Sequence, residues 1–320
     1  MDNYIENIEN IENIENKKRI EKIIKKYSVL NYILLEGCLE NTSCVFKRIN
    51  KGKVRDIYED TKNNQLTIIT SDRLSSFNRV LTTIPSKGVN LNKISAWWFD
   101  KTKHIVDNHL IDSYHRTMIV QKTKVFPVEF IMRGYLTGTT NTSIWYNYKN
   151  GMRYYCGHIL EEGLIKNQKL SSNLLTPTTK GTTDLLISEY EIVEQNIMTQ
   201  TQFDLCKKYA HNLFTFGQIM AAKKGLILVD TKYEFGINND NNIILIDELH
   251  TPDSSRYWLK HSYKERFENN IEPEIIDKDY IRRYVNENYN DPYNDNIIID
   301  DKIRLETGNK YNQLCEILLS

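Results

Sequence analysis

Three charged residues alternate along one apolar segment, GLILVDTKYEFG (residues 225–236): Asp230, Lys232 and Glu234. On a β-strand, residues two apart share a face. These three therefore point one way, and Val229, Thr231, Tyr233 and Phe235 point the other. A run of Asn and Asp follows, then a second apolar segment, Ile243 to Leu249, carrying Asp247 and Glu248. Two β-rich runs around turn-forming residues read as a hairpin. A turn centred between Asp240 and Asn241 sets Glu234 opposite Asp247; a one-residue slip puts Glu248 there instead. Opposed carboxylates on one face repel. A divalent cation between them removes the repulsion, and hard oxygen donors suit magnesium. Lys232 adds a phosphate-seeking charge. Solvated charges on an open sheet face are the alternative, and the flanking apolar runs favour burial.

Four further segments carry groups able to hold an anion. Lys51-Gly52-Lys53-Val54-Arg55-Asp56 places cations around a glycine turn, which lets backbone approach a phosphate closely. The Walker pattern G-x-x-x-x-G-K-[ST] is absent. Arg133 to Thr140 supplies an arginine, two glycines and several hydroxyls, and arginine grips phosphate with two parallel hydrogen bonds. Thr176 to Asp184 is a polar loop with one cation, Lys180. Thr251-Pro252-Asp253-Ser254-Ser255-Arg256 follows the strand of Asp247, so Arg256 with its two serines is a candidate clamp for phosphate or carboxylate. A helix N-cap on Asp253 or Ser254 is the plainer reading of that segment.

Composition narrows the class. The chain has 320 residues, 40% hydrophobic and 26% charged, an ordinary globular balance. Lys plus Arg and Asp plus Glu both number 42, which argues against a general nucleic-acid binder. No apolar run reaches membrane-span length. The seven histidines show no zinc spacing, and no G-x-S-x-G elbow occurs. Five scattered cysteines without a C-x-x-C pair read as free thiols in a reducing compartment. The acidic N-terminal segment is unlike an organelle transit peptide, so the cytosol is expected.

The elements that must position these groups follow from pattern. Residues Ile5 to Asn16 repeat I-E-N, whose spacing of three spirals around a helix instead of forming a stripe; a frayed helix or disorder is expected. Lys17 to Lys26 is helix-compatible and would join this tail to the body. Strands are expected around residues 44–60 and 63–73, a helix over Gly88 to Asn108, strand character from Thr117 to Arg133 with a break at Pro127, and a helix over Glu189 to Lys224. Amphipathic helices are expected over Glu272 to Asn288 and Asp300 to Leu319, with a turn between them. Strands first and helices later point to an α+β fold. The expected divisions are an N-terminal extension (1–43), a β-rich domain (44–128), an α+β domain (129–265) and a C-terminal helical segment (266–320).

In order along the chain, GKVRDIY, SDRLSSF, IPSKGVNLNKIS, FPVEFIMRGYLTG, LTPTTKGTTD, GLILVDTKYEFG, IDELHTPDSSRYW and LETGNKY resemble the phosphoribosylaminoimidazole-succinocarboxamide synthase (SAICAR synthetase) family. The resemblance starts near Lys51 and leaves out the first forty or so residues. It implies a fold related to ATP-grasp and a ligase that uses ATP and Mg2+ to join L-aspartate to carboxyaminoimidazole ribonucleotide (CAIR), with no nucleic-acid or membrane partner. It also implies roles. Lys53, Val54, Arg55 and Lys180 lie along ATP, and Glu234 and Asp247 hold magnesium. Arg133, Thr139, Ser255 and Arg256 bind ribonucleotide. Asp230, Lys232 and Lys180 serve the chemistry, with Asp253 beside them. The chain departs from the family's pattern at Thr139, often Ser, and at Asn78, often Asp; the second leaves the contacts to aspartate open. A kinase using the same cleft and a non-catalytic binding protein are the competing readings.

Overall fold

The computed structural model describes residues 13–24, 37–181 and 184–320. Most of the I-E-N repeat lies outside them.

Five strands build the first sheet, ordered Lys47–Lys51, Arg55–Asp60, Gln65–Thr70, Thr117–Gln121 and Leu110–Tyr114, all antiparallel. Its first turn closes on itself, with the Gly52 N–H donating to the Arg55 carbonyl at 2.9 Å. A Cβ on Gly52 would sit 2.5 Å from that oxygen, so the turn requires glycine. The helix Lys87–Thr102 packs on this sheet and buries Leu91, Ile94, Trp98 and Phe99. It ends earlier than Asn108, and Trp97 and Ile105 are only half-buried.

The second sheet has seven strands around Leu226–Ile237, which is paired along both edges. One edge takes Val128–Tyr135 and Lys124–Val125; the other takes Ser255–Leu259 and Ile243–Ile246. Helix Gln200–Lys223 covers one face with Phe203, Cys206, Ala210, Leu213 and Phe214. Its start is a reciprocal cap between Thr199 and Gln202. The expected single helix over 189–224 is two, because Ser188 caps a short one, Glu189–Glu194, and Asn196 then turns at φ 54°.

The hairpin register differs from the expected one by a residue. Glu234 faces Ile246, not Asp247. The turn is the reason: the Asn238 side chain accepts the N–H groups of Asp240 and Asn242, and Asn241 adopts φ 61°. That loop holds an odd number of residues and shifts the phase of the second strand. The strand ends at Ile246, so Asp247 lies beyond it, itself in the left-handed region at φ 66°.

Two other expectations are corrected, and one helix was missed. Residues 251–254 form a turn leading into a strand, not a helix cap. The helix expected from Glu272 begins at Asp279, because Ile275 first bridges to Trp258 as extended chain. A helix over Lys260–Glu268 was not foreseen, since its face has no buried residue to give it a period. The C-terminal helices Asp279–Asn288 and Asp301–Leu319 pack Ile281, Val285 and Tyr311 against Val54, Leu74 and Leu91. This second core draws the end of the chain back onto the first lobe.

The helix at residues 13–24 docks on the body. Ile20 is fully buried and Ile23 nearly so, and Arg19 donates to the Lys224 carbonyl that ends helix 200–223. Each buried isoleucine contributes about 2 kcal/mol by removal of apolar area from water.

Candidate active site

Between the two sheets and the C-terminal helices lies a polar cleft of about 350 Å³. It continues into a smaller hollow of about 220 Å³ through shared walls at Lys53, Ser75, Thr140, Lys278 and Arg282. Every segment singled out by chemistry reaches this region or its edge.

Asp230 anchors one side of the cleft. It sits mid-strand, paired across one edge with Arg133 and across the other with Arg256. Both arginines therefore converge on one carboxylate: Arg256 at 2.6 Å and Arg133 at 3.8 Å. Thr176 and the Thr142 carbonyl fix the rest of the Arg133 guanidinium. Arg256 also lies 3.4 Å from Asp279. Burial opposes the Arg256 charge, but Asp230, Asp279 and Asp277 outweigh it and raise its pKa. Asp230 is thus occupied in holding two cations, and Ser255 bonds Thr231 beneath them at 2.7 Å.

Lys232 lines the cleft, and Glu234, two residues on along the same strand, is buried beside it and is not among the lining residues. The Lys232 ammonium lies 2.7 Å from Asp247 and bonds Glu234 directly, with Glu129 at 3.6 Å. Lys180, following the short strand Thr178–Thr179, bonds the other Glu234 oxygen. Burial pushes Glu234 up. Burial acts the same way on Asp247, yet Lys232 and Arg55 hold it well below the carboxylate range. The repulsion inferred from sequence is real, and a lysine relieves it. The slipped alternative, Glu248, is excluded as the facing group because both its oxygens are taken by Arg55, at 2.8 and 2.5 Å.

Asp247 and Glu234 converge on one positive centre, so their oxygens are placed to share a cation. Among the described residues no cluster of three or more His, Cys, Asp or Glu is arranged for a metal. Magnesium commonly takes only one or two carboxylates and completes its shell with water and substrate phosphates. The donor pair meets that requirement.

Asp253 lies at the cleft wall with its carboxylate engaged by Lys87 at 2.7 Å and by the Tyr311 hydroxyl at 2.5 Å. Burial works against its charge, but Lys278 and Lys87 hold it well below the ordinary range. Lys53 borders both parts of the cleft and, among the described residues, has no ion-pair partner within 4.0 Å. Val54 is buried behind it. Asn78 lines only the smaller hollow, opposite Asp184.

Thr139 is not brought to the cavity; it accepts from Asn286 instead. Its neighbours Thr140, Thr142 and Ser143 line the cleft. The tight turn at Gly138, where a Cβ would meet Ser143 at 2.5 Å, sets which hydroxyls face inward. Sequence reasoning missed Glu129, Lys278 and Arg282. The available signal was D-K-D-Y-I-R-R at 277–283, a density of charge unusual for a helix start that also carries buried Ile281.

A model of the SAICAR synthetase family matches residues 48–297. A chloroplastic phosphoribosylaminoimidazole-succinocarboxamide synthase of Arabidopsis thaliana is 52% identical over 79% of this chain, and the match spans 63% of that relative, just under two thirds of its length. The synthase of the same name from Legionella pneumophila (strain Lens) is 51% identical over 77% of this chain and 78% of its own. Among solved structures, the SAICAR synthase of Saccharomyces cerevisiae complexed with SAICAR superposes with a TM-score of 0.72 at 29% identity, covering 88% of this chain and 97% of that one. A SAICAR synthetase in complex with ADP shares the fold, with a TM-score of 0.59 at 22% identity over 73% of this chain and 89% of that one.

Proposed function

The chain belongs to the SAICAR synthetase family, and from that premise we propose that it ligates L-aspartate to the carboxylate of CAIR, consuming ATP and giving SAICAR, ADP and phosphate in purine biosynthesis. The observation that carries this reading is one continuous cleft lined by the Lys53–Arg55 turn, by Lys232, which ties Glu234 and Asp247 to it, and by the Arg133–Asp230–Arg256 cluster.

A carboxylate is a poor electrophile because its oxygen does not leave. Phosphorylation by ATP makes an acyl phosphate, which the aspartate amine attacks, so the protein's task is positioning and charge stabilisation. Lys53 is free to meet phosphate. Glu234 and Asp247 are the residues that would hold magnesium; the ion supplies neutralisation of charge on the transferring phosphoryl group. Lys232, released from one carboxylate, faces the same oxygens, and Lys180 steadies Glu234. Arg133 and Arg256, oriented by Asp230, bind the ribonucleotide through charge-assisted hydrogen bonds. Asp253 holds the 251–255 turn in place.

The five free cysteines support a reducing compartment, and the cytosol is proposed on that basis. Among the described residues no helix is long and apolar enough to cross a membrane. The zero net charge supports small-molecule partners over nucleic acid.

The test is ADP release with Mg2+, ATP, CAIR and L-aspartate, each omitted in turn. Turnover that needs all four, with a succinocarboxamide product by mass, supports the ligase. ADP release that does not depend on CAIR overturns it.

A further inference from the structure

Amide formation needs a base, because the α-ammonium of aspartate has no lone pair until it gives up a proton. No histidine lines the cleft. Most of its charged groups are committed: Asp230 to two arginines, Glu248 to Arg55, Asp253 to Lys87, and Lys232 to Glu234 and Asp247.

Lys278 differs. Its Nζ lies 3.7 Å from Asp253, beyond hydrogen-bond distance, while the same Asp253 oxygen accepts from Lys87 at 2.7 Å. Two ammonium groups thus share one carboxylate oxygen, and the nearer, fully buried one takes it. Arg282, one turn along the same helix, adds a further positive charge, and Glu248 beyond Asp253 is already neutralised by Arg55. Lys278 is also the residue that begins helix Asp279–Asn288, where the helix dipole disfavours a cation. Its backbone N–H donates to the Pro252 carbonyl at 3.2 Å, which fixes its place, and it borders both parts of the cleft.

We propose, resting on the ligase reading above, that Lys278 is the general base of the ligation step and touches the aspartate amine. Neutral Lys278 takes a proton from the α-ammonium. The freed lone pair attacks the acyl carbon, the C–N bond forms, and the C–O bond to phosphate breaks with its electron pair leaving on phosphate. The second amine proton departs to the released phosphate. Burial first, then Arg282 and Lys87, lower the Lys278 pKa to about 8 against the opposing pull of Asp253, so a useful share of it is neutral at physiological pH.

The experiment gives the full chain and its Lys278→Gln variant Mg2+, ATP and CAIR with either L-aspartate or hydroxylamine, a weakly basic amine that is already neutral at the assay pH. The expected result is a loss of aspartate-dependent ADP release of about 100-fold or more, with hydroxylamine-dependent hydroxamate formation retained. Equal loss with both amines would mark Lys278 as a binding cation, and unchanged rates would remove it from the step; either overturns the proposal. Lys278→Arg, which keeps charge but cannot act as a base near neutral pH, is read in the same way and covers a Gln variant that does not fold. The wild-type requirement for all four components checks the ligase reading separately.

Discussion

Arg55 and Glu248, 193 positions apart, form a two-pronged ion pair at 2.8 and 2.5 Å that ties the first sheet to the segment carrying Asp247. Arg55 carries its charge more firmly than usual: burial opposes it, but Glu248 and Asp247 outweigh burial. The pair sets the distance between the two walls of the cleft. Glu248→Gln leaves Arg55 mostly buried with one neutral partner, and removing one member of such a pair costs about 3 kcal/mol. A fall in the urea midpoint, together with a raised KM for ATP, is the expected outcome; an unchanged KM would detach this pair from nucleotide binding.

Asp247→Asn removes one of the two negative oxygens that converge on Lys232. The fold should persist, because Lys232 keeps Glu234. Turnover should fall by about 100-fold or more, since the phosphoryl-bound ion loses a charged ligand. Binding of Mn2+ in the presence of ATP, followed by its paramagnetic signal, should weaken in parallel. A variant with wild-type rate would refute the metal assignment.

The N-terminal helix over residues 13–24 buries Ile20 and Ile23 against the body. Ile20→Ala should lower stability by roughly 2–4 kcal/mol, measured by chemical denaturation, with kcat and KM unchanged because the helix docks on the outer end of helix 200–223. A kinetic defect without a stability defect would place this helix in the catalytic cycle instead.

Lys278 also makes a stability prediction. The unfolded chain keeps this proton up to about its ordinary value of 10.5, whereas the folded chain sheds it near 8. Between those values the unfolded state binds more protons, so this group makes stability rise with pH there. Urea midpoints taken from pH 7 to 10 should climb less steeply in Lys278→Gln than in wild type. Equal slopes would contradict a depressed lysine.

The sequence by itself determined the parts that depend on neighbours along the chain. Alternation put Asp230, Lys232 and Glu234 on one side of a buried strand. The glycine at 52 marked a tight turn. These are legible because strand periodicity and turns are satisfied within a few residues. Tertiary structure alone decided the rest. An odd-length turn displaced the second strand by one residue and left Asp247, not Glu248, against Lys232. The chain's end came back to supply Tyr311 to Asp253 and Lys278 to the cleft. Choosing among many like charges depends on which pair is brought within hydrogen-bond distance in a low-dielectric interior, where charge–charge attraction is strong and competes with the cost of burial. That distance is a property of packing between segments far apart in sequence, and local pattern carries no record of it.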